Sequence, residues 1–121
     1  MINMGEDELI MAKYEKTIIG QFEEVVNHLQ NDIGNSGISM KLVDESNYMI
    51  GDTKIAVRVY DKYFMRNGNR ASLSLTVVGS DNNIFISAIG AGGGQGVFLN
   101  FSLGAEDDMV AIVEKSIEQM E

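Results

Sequence analysis

Apolar residues recur along this chain with two different periods, and each period predicts a different kind of element. Phe22, Val25, Val26, Leu29 and Ile33 repeat at the spacing of one helix face and stop at Gly34, Asn35 and Gly37. That pattern predicts an amphipathic helix over 21–33. Ala105, Met109, Ile112, Val113, Ile117 and Met120 repeat the spacing near the end of the sequence and predict a second helix over about 105–119. Its first turn carries Glu106, Asp107 and Asp108, where carboxylates meet the positive end of the helix dipole.

Between the helices the period falls to two. Ile38, Met40 and Leu42 alternate with Ser39 and Lys41; Ile55, Val57 and Val59 alternate with Lys54, Ala56 and Arg58; Ala71, Leu73, Leu75 and Val77 alternate with Ser72, Ser74 and Thr76. These patterns predict three half-buried strands, with the apolar set of each expected on the core side. Asn67-Gly68-Asn69 joins the second to the third, and Ser80-Asp81-Asn82-Asn83 separates the third from a fourth at 84–89. Val97, Leu99, Phe101 and Leu103 alternate again and predict a fifth. Short turns make consecutive strands antiparallel. Ahead of the first helix, Thr17-Ile18-Ile19 is β-branched and Gly20 would weaken a helix interior by about 1 kcal/mol relative to alanine, so 12–19 reads as a strand.

The expected class is α+β with the order β-α-β(4-5)-α, a curved antiparallel sheet packed on a C-terminal helix. That order resembles helix-grip and TATA-binding-protein-like topologies, which carry many functions and so imply none. Residues 1–11 read as a flexible N-terminus and 12–121 as a single domain.

Composition narrows the classes further. The 121 residues are 45% hydrophobic and 22% charged, which is globular composition with one core. The absence of cysteine excludes disulfides, thiolate metal sites and a cysteine nucleophile. A net charge of −9 disfavours nucleic acid and anionic membranes as partners. The chain lacks the basic start and apolar middle of a signal peptide, and its most apolar stretch, 84–94, is shorter than the about 20 residues of a membrane span. A cytoplasmic location is the expectation. Six of the nine cations fall between Lys41 and Arg70, and none between Ala71 and Glu114.

Two stretches invite a chemical reading. SAIGAGGGQGVF at 87–98 is glycine-rich, but it matches neither G-x-G-x-x-G nor a P-loop and is expected to be a flexible or sharply turned connection. As a ligand loop it would offer Gly93, Gly94 and the polar Gln95. KIAVRVYDKYFMR at 54–66 would place Arg58, Tyr60, Lys62, Phe64 and Arg66 on the solvent side as a stripe of cations and aromatic rings. Asp61 and Tyr63 fall on the opposite, core side, where they would supply polarity to a ligand cavity or mark the strand leaving the sheet. Asp44 and Glu45, at the end of the preceding strand, would bring further carboxylates near Asp61. His28 is the only histidine, expected partly exposed on the first helix, and neither a metal centre nor a nucleophilic triad has material here.

The runs AKYEKTIIGQF near the start, AVRVYDKY at 56–63, GNRASLSLTVVG at 68–79 and SAIGAGGGQGVF at 87–98 resemble a group of short bacterial proteins known only as a domain of unknown function. The resemblance spans nearly the whole chain after residue 12 and implies a free-standing domain with no catalytic residues to carry over. The leading expectation is a non-catalytic module without cofactor or metal, holding a small apolar or amphipathic molecule between sheet and C-terminal helix. A protein-interaction or self-associating domain, such as a homodimer, is the alternative. A carboxylate-dependent enzyme comes third.

Overall fold

The computed structural model describes residues 10–37, 39–64, 69–93 and 105–121. Seven elements succeed one another: β1 (Ile10–Ile19), α1 (Phe22–Gly34), β2 (Lys41–Ile50), β3 (Thr53–Phe64), β4 (Asn69–Ser80), β5 (Asn83–Gly93) and α2 (Ala105–Met120). The strands form one curved antiparallel sheet in the order β1-β5-β4-β3-β2. Both helices lie on one side of it, α2 against β1, β5 and β4, and α1 against α2 and β4. This is the expected α+β, helix-grip-like class.

The inner face of the sheet and the apolar stripes of the helices make the core. Leu73, Leu75 and Val77 of β4 and Ile84 and Ile86 of β5 meet Leu29 and Ile33 of α1 and Met109, Val113 and Ile117 of α2, and all are fully or almost fully buried. A close approach shapes this interface. A Cβ on Gly79 would lie 2.8 Å from the Phe22 ring, so α1 can start over β4 only because position 79 has no side chain. Helix α1 ends where Ser36 Oγ donates to the Ile33 carbonyl at 2.8 Å and Gly37 turns the chain at φ +90°.

Three expectations need correction. Strand β2 runs to Ile50 rather than ending near Leu42, because a register shift between Leu42 and Asp44 inserts Val43 and breaks the alternation. All ten of its residues are exposed, so no buried face imposed a period on it. Asp44 and Glu45 therefore sit inside β2 rather than at the end of a strand. The glycine run is not wholly a connection either: Gly90, Gly92 and Gly93 are paired residues of β5, facing Leu73, Ala71 and Arg70 of β4, and Gly90 and Gly92 are paired with β1 as well, so the ladder holds the backbone extended. The fifth mid-chain strand expected at 97–103 lies outside the described residues. No described helix is long and apolar enough to cross a membrane.

Candidate functional site

The sheet has two faces of different character, and β3 decides how they are used. Paired residues share a face, so Lys54, Ala56, Arg58, Tyr60 and Lys62 point with Leu73 and Leu75 toward the helices, while Ile55, Val57, Val59, Asp61 and Tyr63 point away. That orientation is the reverse of the sequence expectation. Arg58 is 7% and Tyr60 6% exposed, so neither belongs to a solvent stripe. Lys62 is half-buried on the same inner side; the side chain of Phe64 and the whole of Arg66 lie outside the described residues.

The inversion is possible because the inner side of β3 is supplied with polar partners. Arg58 Nε lies 3.1 Å from Glu45 Oε1 and donates to Gln30 Oε1 at 3.0 Å, while Nη1 reaches the Val57 and Ser46 carbonyls at 3.0 and 3.3 Å. Its aliphatic stem covers apolar surface and its head is satisfied. Lys54 is bonded to Glu23 of α1, which holds the Glu23 carboxyl below its ordinary range. Burial pushes the Tyr60 phenol above its usual value, against the nearby Arg58 charge.

The outer face carries the apolar residues that β3 turns away from the core. Thr17, Phe85, Val78, Ile55 and Tyr48 are register neighbours in one row across all five strands, flanked by Val57, Val59, Ile89 and Ile50. Tyr48 is 65%, Ile50 60% and Phe85 38% exposed. Toward the other end the same face becomes polar. There Arg70 forms an ion pair with Asp61 and stands 5.8 Å from the Tyr63 ring centroid, while in the row next to the apolar one Ser87 Oγ donates to Glu15 at 2.8 Å. Charges on the described part of this face balance: Lys13, Lys41 and Arg70 against Glu15, Asp44 and Asp61. The helix layer does not balance. Helix α1 has three carboxylates and no lysine or arginine, and α2 has five against one lysine, so the two helices hold seven of the nine units of net negative charge.

The residues singled out from sequence are thus dispersed. Asp61 and Tyr63 lie outside the core, at the polar end of the outer face, because the whole strand is turned over. Gly93 ends β5 opposite Arg70, and Gly94 and Gln95 lie outside the described residues. Glu45 points inward to Arg58, whereas Asp44 and Asp61 point outward, so the three carboxylates do not converge. Among the described residues no cluster of histidines and carboxylates is arranged to hold a metal. His28 is half-buried with Nε2 3.1 Å from Asp32.

What sequence reasoning missed is the groove between α1 and α2, of ≈ 420 Å³, lined by Asp32 and Ser36 on one side and Asp108, Ile112, Lys115 and Ser116 on the other. Ser116 sits amid the apolar stripe of α2 as a single polar interruption at a core position. That interruption was the available signal.

A family model described as a family of unknown function, DUF6054, matches residues 11–121. No curated protein is similar enough in sequence to be matched. Two solved structures are similar in fold: a hypothetical protein, jhp0584, from Helicobacter pylori, with 11% identity and a TM-score of 0.53 over 94% of this chain and 86% of that one; and protein MLL2253 from Mesorhizobium loti, with 10% identity and a TM-score of 0.54 over 93% and 99%. At such identities they show the architecture alone.

Proposed function

Because the chain belongs to DUF6054, a family of unknown function, its role has to be read from its geometry, and we propose a non-catalytic binding domain that associates with a second copy of itself through the outer face of the sheet. The observation that carries this reading is the orientation of β3. Its apolar side, Ile55, Val57 and Val59, faces out of the fold while its polar side faces in. A strand that turns its apolar side outward gains from burial only when something else covers it.

Size and charge both favour a second copy as the cover. Five strands about 4.8 Å apart, ten residues long at about 3.3 Å each, present roughly 800 Å², which is what each partner contributes to a standard stable interface. The outer face has no net charge among its described residues, so two copies meet there without repulsion. A contact between helix layers would bring seven negative charges against seven. Sheet against sheet also keeps the acidic layers on the outside of the pair.

Native mass spectrometry with sedimentation equilibrium tests the reading. The wild type is expected as a dimer at micromolar concentration, and Ile55→Lys as a folded monomer with dimerisation weakened at least tenfold. A monomeric wild type, or an unweakened dimer in the variant, would contradict it.

A small-molecule role has separate support, but at a different place from the one the sequence favoured. Between sheet and α2, Leu73, Ile86, Met109 and Ile117 are fully buried in one apolar cluster. The helix groove, at ≈ 420 Å³, is of ligand size.

A further inference from the structure

The α1–α2 groove lies on the layer opposite the outer sheet face, so a ligand held there is independent of the dimer. Both walls are helix faces. On α1, Asp32 Oδ2 lies 3.1 Å from His28 Nε2 without a hydrogen bond between them, and the Ser36 hydroxyl is anchored to the Ile33 carbonyl at 2.8 Å where the helix ends. On α2, Asp108, Ile112, Lys115 and Ser116 recur at three- and four-residue spacing and so share one helix face.

Ser116 marks the groove as more than a surface crease. It is 1% exposed, it lines the groove, and its hydroxyl has no hydrogen-bond partner. Buried hydroxyls are almost always paired, and one that is not needs a reason. A ligand seated over the Ala111–Ile112 floor would lie beside it, and rotation of the Ser116 side chain about χ1 would turn the hydroxyl toward a polar group of that ligand.

The lining selects the ligand's charge. Asp32 and Asp108 call for a cation, and the acidic helix layer around them reinforces that demand. Lys115, in the same groove, calls for an anionic group close by and disfavours a plain cation. A lone anion would meet two carboxylates and the field of both helices. Only a molecule carrying both signs satisfies the whole lining, and the apolar floor asks for an aliphatic portion between or beside them. We infer that the groove binds a small zwitterion of the α-amino-acid class with an aliphatic side chain, its ammonium on Asp32 and Asp108 and its carboxylate on Lys115. The groove is open, so affinity is roughly millimolar, in the range of small ligands with few buried atoms.

Titration of the full chain with L-leucine, leucinamide and N-acetyl-leucine, followed by backbone amide shifts, tests the assignment. Leucine is expected to give saturable shifts centred on Asp32 and residues 111–119, and each blocked derivative to bind at least fivefold more weakly. Asp108→Asn should weaken leucine but not N-acetyl-leucine, whose anion loses a repelling carboxylate, and Lys115→Gln should weaken leucine but not leucinamide, whose cation loses a repelling ammonium. Both positions are exposed, so the variants retain the fold. Absence of saturable shifts with leucine, shifts centred elsewhere, derivatives that bind as well as leucine, or variants without these selective losses would overturn the inference.

Discussion

The two faces of the sheet are built from the same strands and differ in what covers them. On the inner face Leu73, Leu75, Ile84 and Ile86 are sealed by two acidic helices, whereas on the outer face Ile55, Val78, Phe85 and Tyr48 form a row on which no described helix packs, with Ile55 and Val78 partly exposed and Phe85 and Tyr48 exposed. In β4 and β5 the more apolar side is the inner one; in β3 it is the outer one. The lesson is that alternation identifies the apolar side of a strand but not the side its own chain will bury. Where the two disagree, a second molecule is the natural cover.

The comparison breaks most visibly if adjacent residues of β4 behave alike. Leu75→Ala should lower the free energy of unfolding by about 2–5 kcal/mol, because it opens a cavity under both helices, while Thr76→Ala should change monomer stability by no more than about 0.5 kcal/mol. Denaturant titration of the two variants at high dilution measures the difference, and equal losses would erase the distinction between faces. A smaller effect is expected at Gly79. Gly79→Val should destabilise by about 1–3 kcal/mol through collision with Phe22, and Phe22→Ala should recover part of that loss in a double-mutant cycle.

Arg58 sharpens the contrast from the polar side. Arg58→Met keeps the aliphatic stem but leaves Gln30 and the Ser46 carbonyl short of a donor, for an expected loss of about 1–2 kcal/mol in chemical denaturation. The smallest effect is a pH dependence. The Tyr60 phenol is raised above 10.0 in the folded state, chiefly by burial, so the folded protein disfavours the phenolate more than the unfolded chain does. That contribution is fully present below pH 10 and is lost as pH rises through the folded-state value. Thermal melts from about pH 9 to 11 should therefore fall more steeply in the wild type than in Tyr60→Phe.

Much of the fold was legible because periodicity reports burial. Helix α1, helix α2, β4 and β5 each bury one side, and their apolar residues recur accordingly; Gly20 correctly separated β1 from α1. Strand β2 was largely hidden, since a strand exposed along its whole length carries no period and the bulge at Val43 disrupted the little that remained. The Gly51 turn, with φ +57°, was overlooked for the same reason: the strand expected at Ile38–Leu42 was not expected to run as far as this turn. The site was less legible than the fold. Ile55, Val57 and Val59 were read as core because apolar alternation normally means core, which misplaced Arg58, Tyr60, Asp61 and Tyr63 together. Only Gln30 and Glu45, distant in sequence and brought beside Arg58 by folding, reveal why β3 is turned. The helix groove depends on the packing of α1 against α2, which no local pattern encodes.

Cross-linking through single introduced cysteines tests the central claim most directly, because the native chain has none to interfere. Thr76 lies near the middle of the outer face and Glu114 on the exposed side of α2. With a bis-maleimide spanning about 10 Å, the separation of two stacked sheets, Thr76→Cys should give a covalent dimer at low micromolar concentration while Glu114→Cys remains monomeric. Equal yields from the two positions, or a dimer only from Glu114→Cys, would contradict association through the sheet.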